Sequence, residues 1–204
     1  NTKDRNGDQL TQEERKRLLN NFMGYDISPD MVRLSLVNLY LHGFSDPKIV
    51  EYDTLTSEER WNETSDVILA NPPFGGKEKT QIQQNFPVKS NATELLFLQH
   101  FMKMLRKGGK AAIVVPEGVL FQTNNAFTQV KKELLENYNL HTIISLPAGV
   151  FLPYSGVKTN VIFFERTGAT LDIWYYEVKP EVKLTKNKPI QDSHLEGFGN
   201  LYKK

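Results

Sequence analysis

The chain has 204 residues, enough to bury the core of one large domain. Lysine plus arginine is 25 and aspartate plus glutamate 24, a formal net charge of +1 that excludes nucleic-acid binding by bulk charge but not a local basic patch. Apolar residues at 39% and aromatics at 11% exclude general disorder, and the absence of cysteine removes a disulfide scaffold, a thiolate zinc site and a cysteine nucleophile together, as fits a cytoplasmic protein.

No run approaches the length of a membrane-spanning helix, and the opening residues carry no apolar signal region. The strings Asn62-Glu63-Thr64 and Asn91-Ala92-Thr93 have the form of glycosylation sites, which carry no weight without a secretory signal. Residues 1–21 form a polar segment, the expected remainder of a truncated helix. Within it, Thr11 and Glu14 have capping-box spacing and predict a helix from about 12 to 20.

From residue 22 strands and helices alternate. FMGYDI (22–27) predicts a strand, and Pro29 then starts a helix that Gly43 stops. IVEYD (49–53) is a further strand. DVILA (66–70) reads as a strand covered on both faces, because its apolar run does not alternate. Residues 94–106 predict a helix with a basic last turn, where Lys103, Arg106, Lys107 and Lys110 suit the helix dipole and Gly108-Gly109 closes the turn. A buried strand ending at Pro116 and an amphipathic helix over 125–136 come next. The strands at 141–147 and 159–166 have no helix between them, which predicts an antiparallel pair, and 171–178 is one more strand. Residues 179–204 read as an irregular extension. The pattern is an α/β, Rossmann-like open sheet, mostly parallel, with its chemistry beyond the carboxyl ends of the strands.

Asn71-Pro72-Pro73-Phe74, at the end of DVILA, is the strongest signal. Such a tetrapeptide arises by chance in roughly one chain in a thousand of this length. Each proline lacks an N–H and fixes its φ, and Asn71 is pushed to an extended conformation by the proline after it. The Asn71 side-chain oxygen and the Pro72 carbonyl then offer two acceptors for an exocyclic amino group, while Phe74 offers a flat face for a base. The competing reading is a plain turn with Phe74 in the core. The four histidines, His42, His100, His141 and His194, lack metal-ligand spacing, so no metal site is expected.

At these residues the chain resembles N6-adenine DNA methyltransferases with an N-P-P-F motif. In order, GYDISPDMVRLSLVNLYLHG, EYDTL, DVILANPPFGGKE, GGKAAIVVPEGVLF and SLPAGVFLPYSGVKTNVIFFER resemble the methylation subunit of type I restriction-modification systems, over about residues 20–167. The resemblance implies a methyltransferase domain over 22–178 that uses S-adenosyl-L-methionine. It implies Asp26 and Ile27 against the cofactor's ribose and adenosine, Asp53 with Thr54 near its adenine amino group, and Asn71 as a further cofactor contact. Read alone, each aspartate also suits a cap on the following turn.

The implied reaction is methyl transfer to N6 of an adenine flipped out of duplex DNA, with Asn71, Pro72 and Phe74 as the catalytic residues. The implied partners are DNA, a specificity subunit, a second methylation subunit and, for cleavage, a restriction subunit. Lys77, Lys79 and Lys158 are the candidates for a DNA-facing rim, against a reading as ordinary exposed lysines. Methylation of RNA or of a protein glutamine is the enzymatic alternative, and a non-catalytic assembly module the other. The family's first strand and glycine-rich turn have no match in residues 1–21, where Gly7 stands alone. The chain therefore reads as part of a larger subunit, with open strand edges where that strand belongs.

Overall fold

The computed structural model describes residues 9–56 and 59–202. Gly7, with the rest of residues 1–8, and the end of the extension at 203–204 lie outside the described residues. The chain divides into two compact units, one up to Arg60 and one from Trp61. No described helix is long and apolar enough to cross a membrane.

In the first unit, helix α1 (Gln12–Asn21) opens on the expected capping box. Thr11 Oγ1 accepts from the Glu14 N–H at 3.2 Å, and Glu14 Oε2 accepts from the Thr11 N–H at 2.8 Å. The helix buries no residue, in keeping with its polar sequence. Strands β1 (Met23–Asp26) and β2 (Lys48–Glu51) pair in parallel, from Met23 opposite Lys48 to Asp26 opposite Glu51. Helix α2 (Pro29–Leu41) connects them. Ser28 caps it, and Pro29 occupies the first turn, where no N–H is needed. Gly43 ends it with φ at 83°, a left-handed conformation that costs a glycine nothing and returns the Gly43 N–H to Tyr40 O at 3.0 Å.

The second unit holds β3 (Ser65–Ala70), α3 (Thr80–Gln83), α4 (Thr93–Met104), β4 (Leu105–Pro116), α5 (Glu117–Phe121), α6 (Asn125–Asn137), β5 (Asn139–Ser145), β6 (Thr159–Glu165), β7 (Trp174–Glu177) and α7 (Glu196–Tyr202). Its sheet has the order β3-β4-β6-β5-β7. β3 runs parallel to β4 and β5 parallel to β7, while β6 is antiparallel to both neighbours. The expected antiparallel pair forms because β5 and β6 lack the crossover helix that a parallel return needs. Within the stretch expected to be irregular, Asp192–Leu195 forms a 3₁₀ turn that leads into α7.

One face of this sheet carries the main core. Leu95, Leu98 and Met102 of α4 and Val130 and Leu134 of α6 pack with Ile113, Ile162 and Phe164. On the other face, Ile144, Leu146 and Val178 pack against Ile190, Leu195 and Phe198. β3 is an edge strand of its sheet, open as expected where the unmatched first strand belongs: Ile68 is buried, whereas Val67 is 62% and Leu69 77% exposed. One expectation is corrected. The helix expected to reach residue 106 stops at Met104, and β4 starts at once with the buried Leu105. Gly108 and Gly109 lie in an irregularity of β4, where the register passes from Ser65–Leu105 to Val67–Lys110. Arg106 and Lys110 therefore serve the sheet rather than a helix end, pairing with Asp66 at 2.9 Å and Glu165 at 2.6 Å.

His100 is a buried residue of α4 beside Trp61 and Phe101. Burial, reinforced by the Lys103 charge, lowers its pKa from 6.5 to about 4. The folded state therefore binds this proton less readily than the unfolded chain. The stabilisation is complete above pH 6.5 and is lost as pH falls toward 4, by up to about 3 kcal/mol at about 1.4 kcal/mol per pKa unit. His100→Phe is expected to flatten this part of the acid limb in urea titrations at stepped pH. An unchanged limb would place the acid sensitivity elsewhere.

Candidate active site

β3 delivers the chain into Asn71-Pro72-Pro73-Phe74. Pro72 is buried, Phe74 half-buried, and Asn71 and Pro73 exposed. Neither the Asn71 carboxamide nor the Pro72 carbonyl has a hydrogen-bond partner among the described residues. Two acceptors thus remain open on a turn that its prolines stiffen.

The chain leaving the turn is tied to the start of α4. Gly75 has φ at 73°, and Lys77 bridges Ala92. The Thr93 N–H donates to Gly76 O at 3.3 Å, the Glu78 N–H to Asn91 O at 2.8 Å, and Thr93 Oγ1 to Glu78 Oε1 at 2.9 Å. A Cβ on Gly76 would collide with Thr93 Oγ1 and lie 3.0 Å from Thr93 Cβ, so the close approach requires glycine there.

The sequence reading missed Phe151, in the loop between β5 and β6. Its ring meets Phe74 edge-on, with centroids 5.3 Å apart at 65°. The loop is closed at its base by the Leu146 N–H donating to Thr159 O at 3.0 Å. It is fixed to the end of β4 by Glu117, whose N–H donates to Lys158 O and whose carboxylate takes the Lys158 ammonium, both at 2.9 Å. That hydrogen bond holds the ammonium above the usual lysine range. Ser145, Thr159 and Asn160, at the loop's two roots, bury polar side-chain atoms without a hydrogen-bond partner. Short polar residues inside a strand pattern gave no sign of this burial. The signal for Phe151 was present as an aromatic in a Gly/Pro-rich loop between two strands, but only the fold assigns it to Phe74.

The acids expected at the cofactor lie in the first unit, at the carboxyl ends of the parallel pair β1 and β2. Asp26 Oδ1 accepts from the Ser28 N–H at 2.8 Å and Asp53 Oδ1 from the Leu55 N–H at 3.3 Å, so each caps its own turn. Their Oδ2 atoms make no hydrogen bond among the described residues. Ile27 is 65% exposed, and Thr54 is half-buried. Two carboxylates with spare acceptors at the carboxyl ends of two neighbouring strands, beside an exposed aliphatic side chain, have the chemistry to take the hydroxyls, amino group and flat face of an adenosine. Asn71, Pro72 and Phe74 lie in the second unit, as do Lys77, Lys79 and Lys158. Lys77 and Lys79 are exposed without ion-pair partners among the described residues, whereas Lys158 is held by Glu117. No three His, Asp or Glu side chains converge as a metal site among the described residues.

The model of the N-6 DNA methylase family matches residues 5–204. The chain is 40% identical over 201 residues to the methylase subunit of the type I restriction enzyme EcoEI of Escherichia coli, covering 93% of this chain and 41% of that protein. A chain from a structure of the assembly and conformational transition of a type I restriction-modification system superposes with TM-score 0.89 at 49% identity, over 96% of this chain and 42% of that one. A Listeria monocytogenes protein assigned as a class I S-adenosylmethionine-dependent methyltransferase shares the fold at TM-score 0.58 and 20% identity, over 80% of this chain and 48% of that one. The chain thus spans about two fifths of the length of the EcoEI subunit and of the type I system chain, 41% and 42%. The open acceptors after β3, the reversed strand β6 and the family match together place this chain in the N-6 DNA methylase family, with the methylation subunits of type I restriction-modification systems.

Proposed function

We propose that the chain carries the amino-group-binding turn of a DNA N6-adenine methyltransferase that works within a type I restriction-modification complex. The observation that supports this best is the pair of open acceptors at Asn71 and Pro72, with the Phe74–Phe151 rings in contact beside them. Adenine stacked in a duplex cannot reach such a turn, so the base is extruded. Asn71 Oδ1 and the Pro72 carbonyl accept the two N–H bonds of its amino group. That grip favours the pyramidal nitrogen and directs its lone pair, and Phe74 supports the ring. The amino proton leaves after nitrogen has gained its fourth bond, so the site works without a strong base.

S-adenosyl-L-methionine supplies the transferable methyl group when bound. In the first unit, Asp26 and Asp53 accept from its ribose and adenine through their spare oxygens, with Ile27 and Thr54 alongside. Lys77 and Lys79, and more weakly the paired Lys158, face the DNA backbone. A separate specificity subunit, a second methylation subunit and a restriction subunit complete the system, in line with the near-neutral charge of this chain.

Among the described residues, β1 and β2 pair only with each other, and β3 pairs only with β4. In the second unit, the open edge of β3 with Val67 and Leu69 exposed supports the expectation that a further strand with a glycine-rich turn pairs there. The 204-residue chain alone is then expected to bind S-adenosyl-L-methionine poorly in a calorimetric titration and not to turn over. Equal affinity in this chain and in the longer subunit would overturn that expectation. The substrate class is tested by tritium transfer from S-adenosyl-L-methionine to unmethylated DNA, RNA and protein, using the assembled complex. Label in DNA alone is expected, and label in RNA or protein alone refutes the reading.

A further inference from the structure

An open cavity of about 610 Å³ lies beside the catalytic turn, starting at Gly75 directly after Phe74. Its wall is the tied segment described above, so the cavity is built by fixed backbone contacts rather than by a free loop. Lys77 and Lys89 both line it, and neither ammonium has an ion-pair partner among the described residues. Asn91 also lines it, with its carboxamide free of hydrogen bonds among the described residues. The one acid in the lining, Glu94, is 9% exposed, and its Oε2 is buried without a hydrogen-bond partner, so it neutralises neither lysine at the surface. Asn124 is committed to capping α6, its Oδ1 accepting from the Phe127 N–H at 3.2 Å. The volume lies within the range of small-ligand sites, about 300–1,000 Å³.

Two lysines without acid partners along one cavity make its rim positive, which suits an anionic group. A free carboxamide beside them adds both a donor and an acceptor for a planar polar edge. Given the base-gripping reading of the adjoining turn, on which this inference rests, the occupant is a piece of the same DNA strand. We propose that the cavity is a nucleotide subsite that holds the nucleotide next to the target adenine, with Lys77 and Lys89 on its phosphodiester and Asn91 on its base edge. Lys89 and Asn91 thereby join Lys77 as DNA-binding residues, while Lys158 remains in its ion pair with Glu117.

The test uses the assembled methylating complex carrying wild-type, K77M/K89M or control K107M/K186M chains. All four positions are on the surface, and thermal melting checks that the fold is kept. The slope of log affinity for DNA against log salt is expected to fall in magnitude by about 1–2 for K77M/K89M and to stay constant for the control. A duplex with one neutral methylphosphonate beside the target adenine is expected to lose about tenfold in kcat/KM with wild-type and to lose nothing more with K77M/K89M. Equal losses in both, or an unchanged salt slope, would overturn the subsite. Inorganic phosphate at fixed ionic strength is the comparison for a free-anion site. If it competes with DNA in wild-type but not in K77M/K89M, the cavity binds a free anion and the nucleotide assignment fails. If wild-type complex methylates no DNA at all, the functional reading itself fails, so the two outcomes are distinguishable.

Discussion

Asn71→Ala is expected to lower the single-turnover rate of methyl transfer by about 10²–10³, the cost of removing one positioned polar contact to the reacting group. The carboxamide is exposed and makes no hydrogen bond among the described residues, so its loss leaves the fold undisturbed and the melting temperature nearly constant. The effect should fall on kcat, with the affinity for DNA largely kept, because the grip on the amino group is strongest as nitrogen becomes pyramidal. A rate within about threefold of wild-type would show that the Asn71 acceptor does not take part.

Phe164→Ala is expected to produce the largest loss of stability, about 3–5 kcal/mol. Phe164 is fully buried on β6, the strand that joins β4 to β5. Its ring meets Tyr138 edge-on at 5.9 Å, and the Tyr138 hydroxyl donates to Met102 O at 2.8 Å. The cavity left by alanine therefore loosens contacts from both the sheet and α4. Leu69→Ala, at 77% exposure, is expected to cost the isolated chain less than about 0.5 kcal/mol. Urea titration of the two variants measures both. Similar losses would mean that β3 is covered on the face that is exposed here.

Local chemistry made several elements legible. The Thr11–Glu14 box, Pro29 at a helix start and Gly43 at a helix end each act over a few residues, and each forms as expected. The Asn71–Phe74 turn was legible for the same reason, because its prolines restrict the backbone wherever they occur. The end of α4 was misread. Lys103, Arg106 and Lys107 satisfy a helix dipole on paper, but burial of Leu105 and pairing of β4 with β3 decided the boundary. The open side of β3 was legible because an apolar run without the strand that should flank it leaves Val67 and Leu69 exposed. Phe151 and the Glu117–Lys158 pair depend on contacts between segments far apart in sequence, which a local reading cannot order.

The most direct test is the identity of the nucleoside that the complex modifies. Two acceptors that hold an exocyclic amino group can also hold that of cytosine, so the turn alone does not separate the two bases. Unmethylated duplex DNA, incubated with S-adenosyl-L-methionine and complexes carrying wild-type or Asn71→Ala chains, would be digested to nucleosides and analysed by mass spectrometry. N6-methyladenine is expected from wild-type, with a deep loss of it from Asn71→Ala. Methylcytosine as the product, or N6-methyladenine formed equally well by both, would contradict that expectation.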